Sequence, residues 1–340
     1  MMKNFISASL LSAGLILIGG APGQTQTVRE FFEGKTLTLY VGTTAGGTYD
    51  LYGRLVARHI SGHIPGQPSI VVQNMPGAAS LRLANFLFNN APRDGTAIGV
   101  INQAMPIEQF MQPDGIRYKA QEFTWIGRAT SAVETLLVWH TVPITSIYDT
   151  LTRETVMGGS GPTSSTVFIP KLLNNLAGTK FKVVPGYSGM PEAGLAMERG
   201  EVEGMGVPLQ SLKSNRADWV SQSKIKIIIQ LTPKRHPELK DVPTMVELGT
   251  TEEGRKILNL HASASEIGRA IMAPPGIPRD RATALRRAFD SSMTDKALLA
   301  DAAKQNMDLD PMNGEDLQSL VSELAAFPES LIPAARAARK

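Results

Sequence analysis

The sequence predicts an α/β protein of two lobes, each a mostly parallel sheet flanked by helices. Three observations carry this. Short strand-like runs alternate with segments of helical period along most of the chain, the order that builds parallel sheets with right-handed crossovers. Several of those runs end in turns of glycine and hydroxyl residues that open a helix. The 340 residues also exceed the about 250–300 at which a single core stops growing.

The first unit is the clearest. Leu37-Thr38-Leu39-Tyr40-Val41 alternates like a strand, and Gly42 to Thr48 is a turn without bulk. A helix follows, with Thr48 as its N-cap and Leu51, Leu55 and Ile60 as its buried stripe. Ser69 to Asn74 is a second strand, and Met75 to Ser80 a second small-residue turn before a helix carrying Leu81, Ala84, Leu87 and Phe88. Pro92-Arg93-Asp94-Gly95 then leads to a third strand at Thr96–Ile101. Thr135 to His140 starts a second set of strands. In it Thr155-Val156-Met157 runs into Gly158 to Ser165, and Phe181 to Pro185 runs into Gly186-Tyr187-Ser188-Gly189. Lys224 to Leu231 is a near-continuous β-branched run, the pattern of a strand buried on both faces. Ala270 to Ala273 is a late strand, followed by helices from about Pro278 and about Glu315 to Ala326. The expected organisation is a first lobe of residues 28–134 plus 232–340 and a second lobe of residues 135–231.

Composition narrows the function. A net charge of +3 and scattered basic residues do not indicate nucleic acid. The chain has no cysteine, which excludes disulfides, thiolate catalysis and thiolate metal sites. Met1 to Lys3 followed by the uncharged run Phe5 to Ile18 and the small residues Gly19 to Gly23 reads as a secretory leader over residues 1–23. The mature protein is thus expected in the periplasm.

Catalytic patterns fail on inspection. Gly186-Tyr187-Ser188-Gly189-Met190 and Gly158-Gly159-Ser160-Gly161-Pro162 each lack the last glycine of a nucleophile elbow. No lysine completes a phosphate loop, and no cofactor motif is present. His59 and His63 are four apart but lack the intervening glutamate of a zinc protease, so they read as helix-end residues. What remains is four turns of one kind, at Gly46-Gly47-Thr48, Asn74 to Ser80, Gly158 to Ser165 and Tyr187-Ser188-Gly189. In open α/β sheets such turns gather at the strand carboxyl ends, where ligands bind. Two from each lobe would line a cleft, and their N–H groups and hydroxyls suit a carboxylate held without a buried lysine or arginine. Asp50 would repel such a ligand, so its expected task is to lock the first turn by accepting N–H bonds.

These residues resemble the Bug/TctC family, the extracytoplasmic solute receptors of tripartite tricarboxylate transporters. Ala45-Gly46-Gly47-Thr48-Tyr49-Asp50-Leu51-Tyr52-Gly53-Arg54 is similar to the family's first loop, Asn74-Met75-Pro76-Gly77-Ala78 to its N-x-P-G-A turn and Asp94-Gly95-Thr96 to its D-G-T turn. Asp241 to Gly249 resembles its D-V-P-T-x-x-E-x-G segment, and Ala273 to Pro278 its A-P-x-G-x-P. Val184 to Gly189 matches the V-P-Y-x-G region with Gly186 inserted, and Ala79-Ser80 stands where glycines are usual. The resemblance implies a type II periplasmic-binding-protein-like fold that closes on a small organic carboxylate. It also implies membrane transporter subunits as partners, no cofactor and no catalysis; a monomer is expected. The candidate ligand-binding residues are Thr44, Gly46, Gly47, Thr48, Tyr49, Asp50, Asn74, Pro76, Gly77, Ala78 and Gln103 in the first lobe. In the second they are Gly159, Ser160, Gly161, Thr163, Ser164, Tyr187, Ser188 and Gly189. The rival readings are an exported α/β hydrolase or lyase, and a receptor that presents its ligand to a sensor kinase.

Overall fold

The computed structural model describes residues 26–161 and 164–340. The leader read over residues 1–23 lies outside them, as does the candidate Thr163. In chain order the strands are β1 (Thr36–Val41), β2 (Ser69–Asn74), β3 (Ala97–Val100), β4 (Thr124–Arg128), β5 (Glu134–Trp139), β6 (Thr155–Gly158), β7 (Phe181–Val184), β8 (Gly204–Pro208), β9 (Ile225–Gln230), β10 (Ala270–Ala273) and β11 (Met312–Asn313). They form a six-stranded sheet ordered β11-β4-β10-β3-β1-β2 and a five-stranded sheet ordered β7-β6-β8-β5-β9. Two lobes with helices on the sheet faces are the result.

Within each sheet most strands run one way. β1 pairs in parallel with β2 and β3, and β6 in parallel with β7 and β8. β10 runs against β3 and β4, and β5 runs against β8 and β9. β11 runs against β4 at the sheet edge, and the two reversed strands inside the sheets, β5 and β10, are those reached by crossing from the other lobe. A right-handed crossover constrains only connections made within one sheet, so a strand arriving from outside is free to enter backwards. This reversal positions the site, because it brings the beginnings of β5 and β10 to the ends of the parallel strands.

Local details differ from the sequence reading in three places. The helix Thr48–Ile60 has Gly47, not Thr48, as its N-cap, and Leu51 is exposed while Tyr52, Leu55, Val56 and Ile60 are buried. Tyr52 turns the buried face by one residue because its hydroxyl donates to the Asp308 carbonyl at 2.7 Å. β9 is an edge strand, half-buried over Ile225–Ile227 and buried from Ile228 onward. Its end is covered because the Gln230 amide donates to the carbonyls of Val242 at 2.6 Å and Leu239 at 2.9 Å. At the end of the helix Thr48–Ile60, His59 and His63 face the carboxylates of Asp301 at 3.0 Å and Asp295 at 2.9 Å.

Helices from the last third tie the lobes together. Ile332–Ala338, a helix the sequence pattern does not reveal, packs on both Met105–Met111 of the first lobe and Ser165–Ala177 of the second. Glu252–Ala262 also packs on Ser165–Ala177. One apolar cluster therefore runs from Leu83 and Trp125 through Leu258 to Leu136, Leu172 and Ile228.

Candidate functional site

A cavity of about 700 Å³ lies between the lobes. Its wall takes Tyr49, Ala78, Ala79 and Asn102 to Met105 from turns after β1, β2 and β3, and Gly161, Ser164 and Ser165 from the turn after β6. Glu134 joins it from the start of β5, and Arg269 from the residue before β10. The volume falls in the range of small-molecule pockets.

The first-lobe turns are held by side chains that do not line this cavity. Asp50 is buried, and its Oδ2 accepts from Gly46 N at 2.8 Å and from Arg54 Nε at 2.9 Å. Asn74 Nδ2 donates to Asp50 Oδ1 at 2.8 Å and to the Thr43 carbonyl at 3.0 Å, while its own Oδ1 accepts from Arg54 Nη2 at 3.0 Å. Burial alone would raise the Asp50 pKa, but the hydrogen bonds from Arg54, Gly46 and Asn74 outweigh it and leave that pKa lowered. The carboxylate thus stays ionised and clamps the loop.

A second pin lies deeper. Ser80 Oγ donates to the Gly42 carbonyl at 3.1 Å and accepts from Asn102 N at 3.1 Å, joining the turns after β1, β2 and β3. Reaching that position requires three successive non-glycine residues in the left-handed region, with φ of 45° at Ala78, 51° at Ala79 and 83° at Ser80. Each such residue costs about 1–2 kcal/mol. Among the described residues nothing accepts a backbone hydrogen bond from the N–H of Ala78 or Ala79, and both border the cavity.

Arg269 is the residue the sequence reading missed. It is only 8% exposed, although the reading excluded a buried arginine from the site. Its Nη1 donates to Gln103 Oε1 at 2.6 Å, and its guanidinium carbon stacks 4.2 Å from the Tyr49 ring centre. Tyr49 closes the triangle, because Gln103 N donates to its hydroxyl at 3.1 Å. Burial raises the Tyr49 pKa against the pull of Arg269, so the phenol stays protonated. Glu134 was missed too. Its carboxyl is shifted upward by burial, with Arg269 and the Ser165 hydroxyl drawing it part of the way back. His261 borders the far end near Phe168, their ring centres 5.7 Å apart. Burial, with the Arg339 charge adding to it, lowers its pKa to about 3, so the imidazole is neutral.

The second lobe contributes less than the sequence reading expected. Ser164 caps the helix Ser165–Ala177, its Oγ accepting from Thr166 N at 3.3 Å, and Ser160 N donates to Thr166 Oγ1 at 3.0 Å. Gly159 does not line the cavity; an added Cβ there would lie 2.7 Å from Val167, so its smallness serves helix packing. Tyr187, Ser188 and Gly189 do not line it either. Tyr187 packs against the apolar cluster of Leu137, Met197 and Trp219, and Ser188 donates from its N–H and hydroxyl to Glu192, both at 2.7 Å.

Of the candidate residues, the structure brings Tyr49, Ala78, Gln103, Gly161 and Ser164 to the cavity wall. It does not bring Thr44, Gly46, Gly47, Thr48, Asp50, Asn74, Pro76, Gly77 or Ser160 there. The far mouth is crossed by the C-terminus. Arg339 pairs with Glu108 of the first lobe at 2.9 Å and stacks 4.0 Å from the Phe168 ring of the second.

The geometry has counterparts. The profile of the tripartite tricarboxylate transporter family receptor, TctC, matches residues 53–335. A Cupriavidus necator relative, described as the UPF0065 protein in the gbd 5′ region, is 25% identical over 338 residues, 97% of this chain and 96% of its own. A TctC solute-binding protein from Polaromonas, solved with no ligand, superposes with a TM-score of 0.68 at 20% identity, covering 88% of this chain and 98% of that one. MatC from Rhodopseudomonas palustris, with bound malate, superposes with a TM-score of 0.58 at 20% identity over 90% of this chain and 99% of that one. At such identities the structural likenesses establish the fold.

Proposed function

This chain belongs to the TctC family, the receptors of tripartite tricarboxylate transporters, and on that premise we propose that it captures a small organic carboxylate between its lobes in the periplasm and hands it to the membrane subunits of such a transporter. The observation that carries the reading is the interlobe cavity with Arg269 buried in its wall. A guanidinium in a poorly solvated site is the strongest side-chain partner a carboxylate finds, and stacking on Tyr49 with the bond to Gln103 fixes its plane in advance. The free N–H groups of Ala78 and Ala79 and the start of the helix Ser165–Ala177 add anion-favouring dipoles from both lobes. The malate bound to MatC of R. palustris supports the same chemical class.

Contacts made directly between the lobes support capture by closure. Gln210 of the second lobe donates to the Tyr52 hydroxyl, and Lys213 pairs with Asp308 of the first lobe at 3.0 Å. A ligand touching both lobes favours the arrangement in which these bonds are made, shifting the open–closed population. The test is native mass spectrometry of the mature protein, followed by thermal shift against aliphatic and aromatic carboxylates. Binding at a hundredfold excess over Kd stabilises by about 2.7 kcal/mol, a rise of roughly 4 °C for a chain of this size. A shift with amines, sugars or metals and none with any carboxylate would overturn the reading. Turnover of any panel member would favour the exported hydrolase or lyase instead.

A further inference from the structure

Two opposite charges line the cavity without meeting. Among the described residues Arg269 and Glu134 are not joined by an ion pair, although both line the wall and the Arg269 charge acts on the Glu134 carboxyl. Arg269 has bonding capacity left, since its Nε has no hydrogen-bond partner. The wall as a whole is not cationic. Glu108 is neutralised by Arg339 at 2.9 Å, but Asp114 stands exposed at the rim and Glu134 is desolvated inside. A dianion entering here would meet one available guanidinium and two acidic side chains, a poor balance in a site of low dielectric. Away from this polar end the wall becomes apolar, with Leu81, Met105, Ile107, Phe168 and Ile169. Ser165, beside Glu134, and Phe168 are one turn apart on the same helix, so the two ends are separated by about 5 Å of helix rise.

Resting on the carboxylate reading above, we propose that the ligand is an amino carboxylate with a short apolar side chain: its carboxylate binds Arg269, its ammonium binds Glu134, and its side chain lies along Phe168. The arrangement satisfies each charge with its opposite and leaves the apolar wall to apolar atoms, which is what a buried site requires. An ammonium beside Glu134 would also counter the upward push that burial exerts on that carboxyl. Specificity then resides in the pair, Arg269 selecting carboxylates as a class and Glu134 selecting those that carry a cation.

The test is isothermal titration calorimetry on the mature protein with L-leucine and 4-methylpentanoate, which differ only in the amine, with L-phenylalanine and 3-phenylpropanoate, and with succinate. The expected result is that at least one amino acid binds ten times or more tighter than its des-amino partner and tighter than succinate. Glu134→Gln is expected to erase that preference without lowering the melting temperature. Arg269→Met is expected to abolish binding of every acid, with circular dichroism reporting whether it has folded. Equal or tighter binding of a des-amino acid or of succinate overturns this inference alone and leaves the carboxylate reading standing. So does a preference for the amine that survives Glu134→Gln. If no carboxylate binds either the unmodified protein or Glu134→Gln, the carboxylate reading itself fails and takes this inference with it.

Discussion

The turns of the two lobes read alike in sequence and are built differently. In the first lobe, buried Asp50 and Ser80 and half-buried Asn74, all outside the cavity, fix the turns after β1, β2 and β3 to one another: Asp50 holds Gly46, Asn74 holds Thr43, and Ser80 spans Gly42 and Asn102. In the second lobe, the turn after β6 is held by half-buried hydroxyls around Thr166, and the turn after β7 by the exposed carboxylate of Glu192. The first lobe is therefore a preorganised platform, paid for in left-handed backbone at Ala78, Ala79 and Ser80. The second offers one short turn and a helix end that need not be rigid until the ligand arrives. Glycine and hydroxyl composition does not distinguish the two designs. What distinguishes them is whether a buried polar side chain reaches the turn from elsewhere.

Breaking the platform should have the largest effect. An alanine Cβ at Gly42 would stand 2.5 Å from Ser80 Oγ and 3.2 Å from its Cα, so Gly42→Ala must displace the backbone of the pin. Overpacking of this kind costs about 1–3 kcal/mol, and the upper end is expected here because Ser80 links three turns. Chemical denaturation should show that loss, and ligand affinity should fall with it. By contrast Gly161→Ala, where nothing lies within 4 Å of the new Cβ, should leave stability unchanged.

Asp50→Ala comes next, at about 2 kcal/mol, because it strands a loop N–H and the Asn74 amide while Arg54 keeps its access to water. The pH dependence sharpens the assignment. The Asp50 pKa is lower in the folded protein than in the unfolded chain, where it lies at about 4. Its contribution is therefore complete above about pH 4 and is lost as pH falls from there through the folded pKa. The stability gap between the unmodified protein and Asp50→Ala should narrow over that acid range. A gap constant down to full protonation would show that Asp50 does not act as a carboxylate.

The fold was legible because glycine and hydroxyl punctuation after β-branched runs encodes βα turns wherever they occur. That rule found Tyr49, Ala78, Gly161 and Ser164. It also picked out Gly46, Asn74 and Ser188, which have the same local chemistry but do not line the cavity. Arg269 and Glu134 escaped for one shared reason. Each stands at the start of a reversed strand, and strand direction is a property of pairing that no local pattern records. His261 escaped because a histidine inside the helix Glu252–Ala262 looks like any half-apolar core residue until its surroundings are known. β8 went unread because Gly204-Met205-Gly206-Val207-Pro208 lacks the β-branched signal, its glycines being required where Leu137 and Leu136 pass close by. A search for the missing charges would have had to ask which arginines and glutamates precede or begin a strand, a question the turn-based reading does not pose.

The smallest expected effect decides whether the turn after β7 belongs to the site at all. Glu192→Ala removes both acceptor bonds to Ser188, freeing a turn whose sequence looks as ligand-competent as any other. Glu192 is exposed, so the change in stability should stay within about 0.5 kcal/mol. If Ser188 and Gly189 reach the ligand only in another arrangement of the lobes, loosening their turn must change affinity even so. If the cavity wall is already complete with Gly161, Ser164 and Ser165, affinity should be unchanged within error. Tyr187 serves as the internal control, since it is anchored by the apolar cluster around Trp219 and not by Glu192. An unaltered dissociation constant in Glu192→Ala would confine the second lobe's share of the site to the start of one helix. A tenfold weakening would return the β7 turn to it and make the second lobe, like the first, a surface whose shape is set before the ligand binds.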